Sequence, residues 1–131
     1  MARSFTVLIN QADFPLRASL QAAIKDLHFK LTLEDDYVPF VSAGYLPCTL
    51  EGEDAGLMMH FCKLEPPTDK DGSVNLQWSG DPREKITVLI IASALASHFN
   101  ASVLDENNAL ISASALLTMT KQTLASIDEV M

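Results

Sequence analysis

From Pro82 to Phe99 the chain forms a helix that is apolar on nearly every side: Ile86, Val88, Leu89, Ile90, Ile91, Leu95 and Phe99 leave no continuous polar stripe. Such a helix belongs in an interior, so it is expected to be the most buried helix of the fold. Its start is written into Ser79-Gly80-Asp81-Pro82-Arg83-Glu84. Asp81 caps, Pro82 takes the first helical position and Glu84 closes a capping box. Asn100 provides a left-handed stop. The apolar run Ile86 to Leu95, broken by Thr87 and Ser93, is far shorter than the roughly 20 residues that span a bilayer.

A second stretch, Tyr37 to Leu64, reads as a β-hairpin. One arm is expected over Ala43 to Glu51 and the other over Gly56 to Leu64, with Gly52-Glu53-Asp54-Ala55 as the tip. Glycine at both ends of the tip makes unusual backbone angles inexpensive. Pro39 and Pro47 argue against continuous ladder pairing in the first arm, which is expected to be bent, bulged or at a sheet edge. In the second arm Leu57, Met59 and Phe61 face one way, and Met58, His60, Cys62 and Leu64 the other. A strand apolar on both faces is either covered on both or covered on one and contacted on the other.

The remaining elements follow in order. Phe5 to Ile9 is a buried strand. Asp13 is an expected N-cap for a helix with Pro15 in its first turn, with Leu16, Leu20, Ala23, Ile24 and Leu27 as its apolar stripe. Phe29 to Leu33 forms a short strand or an extended exit. Glu65 to Gly72 (EPPTDKDG) is a loop by composition and the segment most suited to mobility. Val74, Leu76 and Trp78 alternate with Asn75 and Gln77 as a half-exposed strand. Ala101 to Asp105 and Ala109 to Ile111 flank a Glu106-Asn107-Asn108 turn. A last helix over Ser114 to Ile127 buries Leu116, Leu117, Leu124 and Ile127. The expected order is β-α-β-β-β-α-β-β-α in one domain of 131 residues. This is an α+β fold, with helices on one face of a mainly antiparallel sheet.

Charge separates the function classes. The net charge is −8. Residues 34–81 hold ten acids against two lysines, and the acids and bases elsewhere balance. That field disfavours nucleic acid and steers basic partners, although acidic loops also serve simply as a solvated face. The segment MARSFTVLIN lacks the long apolar core of a secretory signal. Pairing Glu51 with Gly56 sets Cys48 opposite Met59 and Cys62 opposite Tyr45, on different sheet faces, so no disulfide is expected. Two free thiols fit a reducing compartment, and the expected location is cytoplasmic, without a membrane partner.

No catalytic signature is present. There is no phosphate loop and no nucleophile elbow, and His28, His60 and His98 fall on three elements. His60, Cys62 and Cys48 have zinc-ligand types, but the register sets Cys48 apart from the other two and supplies no fourth ligand. Neither thiol carries a mark of activation. Glu51, Glu53 and Asp54 are candidates for a hard cation or acid–base work, yet hairpin-tip acids are usually solvated. No metal, cofactor or catalytic residue is therefore assigned. The alternatives to a binding protein are an adaptor subunit that self-associates through a sheet edge and a small metal-dependent enzyme.

The motifs SAGYLPCTLEGEDAGLMMHF, Trp78-Ser79-Gly80-Asp81, the alanine-rich helix after it and ASVLDENNALIS resemble, over residues 37 to 118, the small acidic immunity proteins of bacterial polymorphic and type VI secretion toxin systems. Where such proteins often carry a glycine pair before the late strand, this chain has Asn100-Ala101. The resemblance implies a dedicated inhibitor that binds a cognate toxin domain in the cytoplasm and blocks or distorts its active site; the chain itself is expected as a monomer or homodimer. The expected contact set is Glu34, Asp35, Asp36, Glu51, Glu53 and Asp54 as an acidic field for a basic cleft, with Tyr37 or Tyr45 as the apolar anchor.

Overall fold

The computed structural model describes residues 3–42, 44–65 and 69–130, and the side chains up to residue 126. Two antiparallel sheets and three helices form an α+β fold. The strands are β1 (Ser4–Ile9), β2 (Leu31–Leu33), β3 (Gly44–Leu46), β4 (Cys48–Leu50), β5 (Glu53–Asp54), β6 (Leu57–Lys63), β7 (Gly72–Gln77), β8 (Ser102–Leu104) and β9 (Leu110–Ile111). The helices are α1 (Arg17–Asp26), α2 (Pro82–His98) and α3 (Ala113–Val130). The large sheet runs β3-β6-β7-β1-β8-β9, and the small one β2-β4-β5.

Helix α2 is the centre of the packing. Every residue from Ile86 to Leu95 is buried, because α2 meets strands of both sheets and lies against α1 and α3. Its two buried hydroxyls are satisfied: Thr87 Oγ1 donates to Arg83 O, and Ser93 and Thr120 bond each other across the α2–α3 contact. The N-terminus is capped by Asp81, whose carboxylate accepts from Arg83 N at 2.9 Å. Glu84 reaches past the capping residue and accepts instead from the backbone N–H and hydroxyl of Ser79. Asn100 stops the helix at φ 58°.

The hairpin is real but differently placed. Its ladder pairs Gly44 with Met59 and Leu46 with Leu57 in the large sheet, then Thr49 with Asp54 and Leu50 with Glu53 in the small one. The turn is therefore the two residues Glu51 and Gly52, at φ 50° and 89°, the left-handed pair of a type I′ turn. The expected Glu51–Gly56 pairing, and with it the tip 52–55, is replaced by this tighter register. Cys48 then lies opposite Ala55, whose N–H it receives at 2.9 Å. The expected bend is at Pro47, where the first arm leaves the large sheet for the small one, and the second arm returns at Ala55-Gly56. The expected start at Ala43 lies outside the described residues.

Other boundaries move for local reasons. Asp13 caps nothing; it ends a 3₁₀ turn (Gln11–Asp13), and Phe14 before Pro15 is extended, as a residue preceding proline tends to be. Helix α1 begins only at Arg17, which leaves Leu16 exposed rather than on the buried stripe. Residues 66–68 of the Glu65–Gly72 loop lie outside the described residues, and its exit is tied down by Asp71, which exchanges bonds with Asn10 and Gln11. In α3, Leu116 is buried and Leu117 and Leu124 pack on the core; the side chain of Ile127 lies outside the described set.

Along the large sheet, one face is core and the other is not. Phe5, Val7, Ile9, Leu57, Met59, Val74 and Leu76 are buried under α2. The alternate positions form three rows that no helix covers. Tyr45, Met58, Gln77 and Ser4 make the first row. His60, Asn75, Thr6, Leu104 and Leu110 make the second, and Cys62, Ser73, Leu8 and Ser102 the third. So β6, though interior to its sheet, is covered on one side alone, by the helix-facing layer.

Candidate functional site

The two acidic segments, 34–36 and 51–54, meet at the small sheet. Strand β2 pairs with β4 (Thr32 opposite Thr49), and β4 pairs with β5 (Thr49 opposite Asp54). Pairing continues past β2, where Glu34 N donates to Pro47 O. Alternation buries Leu31, Leu33, Cys48 and Leu50 and turns Thr32, Thr49 and Asp54 outward. Glu34 falls in the same outward set, and its Oε2 accepts from Thr49 Oγ1. At the other end of the ladder Glu51 N donates to Lys30 O, which brings one lysine beside the turn. Glu34, Glu51, Glu53 and Asp54 are all exposed. Among the described residues, none of the four is in an ion pair.

Asp35, Asp36, Tyr37 and Tyr45 line a single open recess of about 220 Å³, together with Ser42 and Phe61. The loop that forms one wall is pinned by an aromatic cluster. Phe14 meets Tyr37, Phe40 and Phe61 edge-on, at centroid distances of 5.9, 6.1 and 5.2 Å. Phe40 holds φ at 61°, a backbone conformation rarely taken by a bulky residue, and its ring covers Gly72 where a Cβ would stand. The same loop turns Val38 and Val41 out to solvent, the latter 77% exposed. These apolar side chains flank the acids and carried no periodic signal in the sequence, since they sit in a loop between elements.

The two tyrosines have different situations. Tyr37 is 7% exposed and donates its hydroxyl to Pro15 O at 2.8 Å. Burial holds its phenol well above the usual range. It is a core side chain that shapes the recess rather than a projecting anchor. Tyr45 is 58% exposed on the uncovered sheet face. Its ring lies over Gly56, in space that a Cβ there would occupy. Desolvation raises the Tyr45 phenol, with Glu84 adding to the shift and the Gly56 backbone opposing it.

Asp36 is already engaged, since Arg17 Nε donates to its Oδ1 at 2.6 Å. Glu53 pairs with Leu50 and Asp54 with Thr49, on alternate sides of β5, so the tip acids diverge. Among the described residues no three histidine, cysteine or acidic side chains converge as a metal site. Cys48 and Cys62 are free. Cys48 is buried, and burial, with Glu34 nearby, pushes its thiol up to about 12. Cys62 is exposed on the uncovered sheet face. No helix among the described residues is long and apolar enough to cross a membrane. Compared with protein-family models, with curated proteins and with solved structures, the chain matches none.

Proposed function

We propose that this chain is a binding protein of the immunity type, which neutralises a basic toxin domain by docking an acidic surface against it. The observation that carries the reading is the meeting of residues 34–36 and 51–54 at the small sheet. Acids from two separate segments come together on the outward side, where Glu34 and Asp54 flank Thr49 on backbone held by ladder bonds. A preformed acidic surface loses little conformational freedom on binding and attracts a basic partner over a distance of about a Debye length, ~10 Å at 0.1 M salt. The adjoining recess adds the apolar component: Tyr45 and Phe61 beside Asp35 suit a long cationic side chain, whose stem packs while its head meets a carboxylate.

In this reading Glu34, Glu51, Glu53 and Asp54 supply the field, Asp35 and Tyr45 contact the partner, and Tyr37 and Asp36 act by holding the loop in place. The inhibitor works in the cytoplasm, where free Cys48 and Cys62 stay reduced. The test is co-purification of the tagged chain with the products of its neighbouring genes. A stoichiometric partner carrying a toxic, basic domain, whose binding is weakened tenfold or more by Glu51→Lys/Glu53→Lys/Asp54→Lys, is the expected result. Binding unchanged in that triple variant sinks the assignment of the surface, and recovery of the chain without any toxin sinks the inhibitor reading.

A further inference from the structure

We infer that Gln21 and Arg17 are positioning residues of the acidic surface: from α1 they stand in for the strand that β2 lacks, and so fix the path of residues 31–36. They act on the side of β2 that faces away from β4. Lys30 O accepts from Glu51 N and Glu34 N donates to Pro47 O, so the backbone groups of residues 30 and 34 point toward the β4 side. In an extended strand those of residues 31 and 33 point the opposite way. There they meet α1 rather than another strand. Gln21 Nε2 donates to Leu31 O at 2.7 Å, and Leu33 N donates to Gln21 Oε1 at 2.8 Å. One side-chain amide makes both the donated and the accepted bond that a residue of a neighbouring strand would make. A carbonyl beside its NH₂ and an N–H beside its oxygen leave the amide a single orientation.

Arg17, one helical turn before Gln21, extends this clamp. Its guanidinium donates through Nη1 to Leu33 O at 3.4 Å and through Nε to Asp36 Oδ1 at 2.6 Å. Two side chains of α1 thereby hold the strand and an acid that follows it. The size of β2 makes the clamp necessary. The strand has three residues and one strand neighbour, and Leu31 and Leu33 are 2% and 1% exposed. Backbone groups at such an edge find little water, and an unmatched N–H there is costly. Without the amide, β2 would be tied down from one side only. Glu34 follows Leu33 directly, so a loosened β2 carries Glu34, Asp35 and Asp36 with it. Their charge would be unchanged and their arrangement lost. The role in docking rests on the function proposed above; the bonding of β2 does not.

Nitrogen-15 NMR of the full chain reads the clamp without any partner. Gln21→Met keeps the bulk of the side chain and removes both bonds. Relative to the Ile90 amide in α2, the Leu33 amide should then exchange about tenfold faster or more. Gln21→Glu keeps an oxygen that can accept from Leu33 N, and should hold the exchange within about threefold of the wild type. A side chain that only filled space would make the two variants alike. The heteronuclear NOE of Glu34, Asp35 and Asp36 should fall in Gln21→Met and in Arg17→Met, and hold in Lys25→Met, a control on the exposed side of α1. Unchanged Leu33 exchange in Gln21→Met, equal exchange in the Met and Glu variants, or unaltered NOEs at residues 34–36 would each overturn the inference. For docking, the probe is the basic domain recovered by co-purification. It should dissociate from Gln21→Met about threefold faster or more and associate at the wild-type rate, because every acid is still present. An unchanged dissociation rate overturns the positioning role even where the triple lysine variant upholds the acidic surface. Recovery of no such domain takes the docking role down with the surface reading, and the exchange data still decide the clamp.

Discussion

Cys48 and Cys62 differ by environment rather than by chemistry. Cys62 stands on open sheet, while Cys48 is packed under the small sheet with its thiol displaced from 9.0 to about 12. In the native protein Ellman's reagent should therefore titrate one thiol quickly and the second only on unfolding; two fast thiols would contradict the burial. The displacement also sets a pH dependence. Below about pH 8 the thiol is neutral in both states. Between 9 and 12 the unfolded chain gives up the proton that the folded chain retains, so stability falls as pH rises, by about 1 kcal/mol from pH 9 to 10. Urea midpoints should show that loss in the wild type and a smaller one in Cys48→Ala. Gly56 is constrained by a ring instead of by a turn. Gly56→Ala forces Tyr45 off the sheet, at a cost of about 1–3 kcal/mol, and should alter the near-ultraviolet circular dichroism. The sequence showed two glycines bracketing an acidic tip, and both read as turn residues. One of them, Gly52, has positive φ; the other makes room for an aromatic side chain that lies far along the chain's other arm, which spacing alone cannot reveal.

Among the elements, α2 was the most legible, because its cap, its apolar circumference and its stop are all local. Asp81→Ala should cost about 1 kcal/mol, lowering the melting temperature by about 3–5 °C, as removal of a capping side chain generally does. Leu89→Ala, in the fully buried stretch, should cost about 2–5 kcal/mol; a loss below 1 kcal/mol would mean that α2 is less enclosed than described. The hairpin was legible as a hairpin and illegible as a bridge between sheets. Alternation of apolar residues states which side of a strand is buried, not which sheet it joins, and the transfer at Pro47 is decided by the pairing of β4 with β2. That same transfer brings Glu34 to Thr49, so the gathering of the two acidic segments was hidden until the register was known. The start of α1 was misplaced because Asp13 and Pro15 form a plausible cap and first turn locally, whereas Phe14 is drawn into the aromatic cluster and carries the chain past them.

For the molecule as a whole, the electrostatic asymmetry sets how contact with a basic partner responds to salt. Binding of a basic partner should weaken at least tenfold between 50 and 500 mM NaCl, mostly through slower association, since screening removes the steering. A salt-insensitive association rate would place the contact away from the acids. The total charge was plain from the sequence, and its concentration in residues 34–81 with it. The uncovered face of the large sheet was not, since its rows come from six strands spread between Ser4 and Leu110 and become one surface only through the strand order.

That order has a further consequence for how the chain is made. Strand β1 precedes both of its neighbours in the chain and lies between β7 and β8, with Ser4 opposite Gln77 and Thr6 opposite Leu104. During synthesis those partners follow only later in the chain, and the large sheet cannot be complete until Ile111 of β9 has been made. Contacts of such long sequence separation slow folding, and they leave the apolar side of β1 waiting in the meantime. The nascent chain is thus open to capture by chaperones until β7 and β8 emerge, and a ribosome stalled before β8 would display an unfinished sheet with β1 as its bare edge.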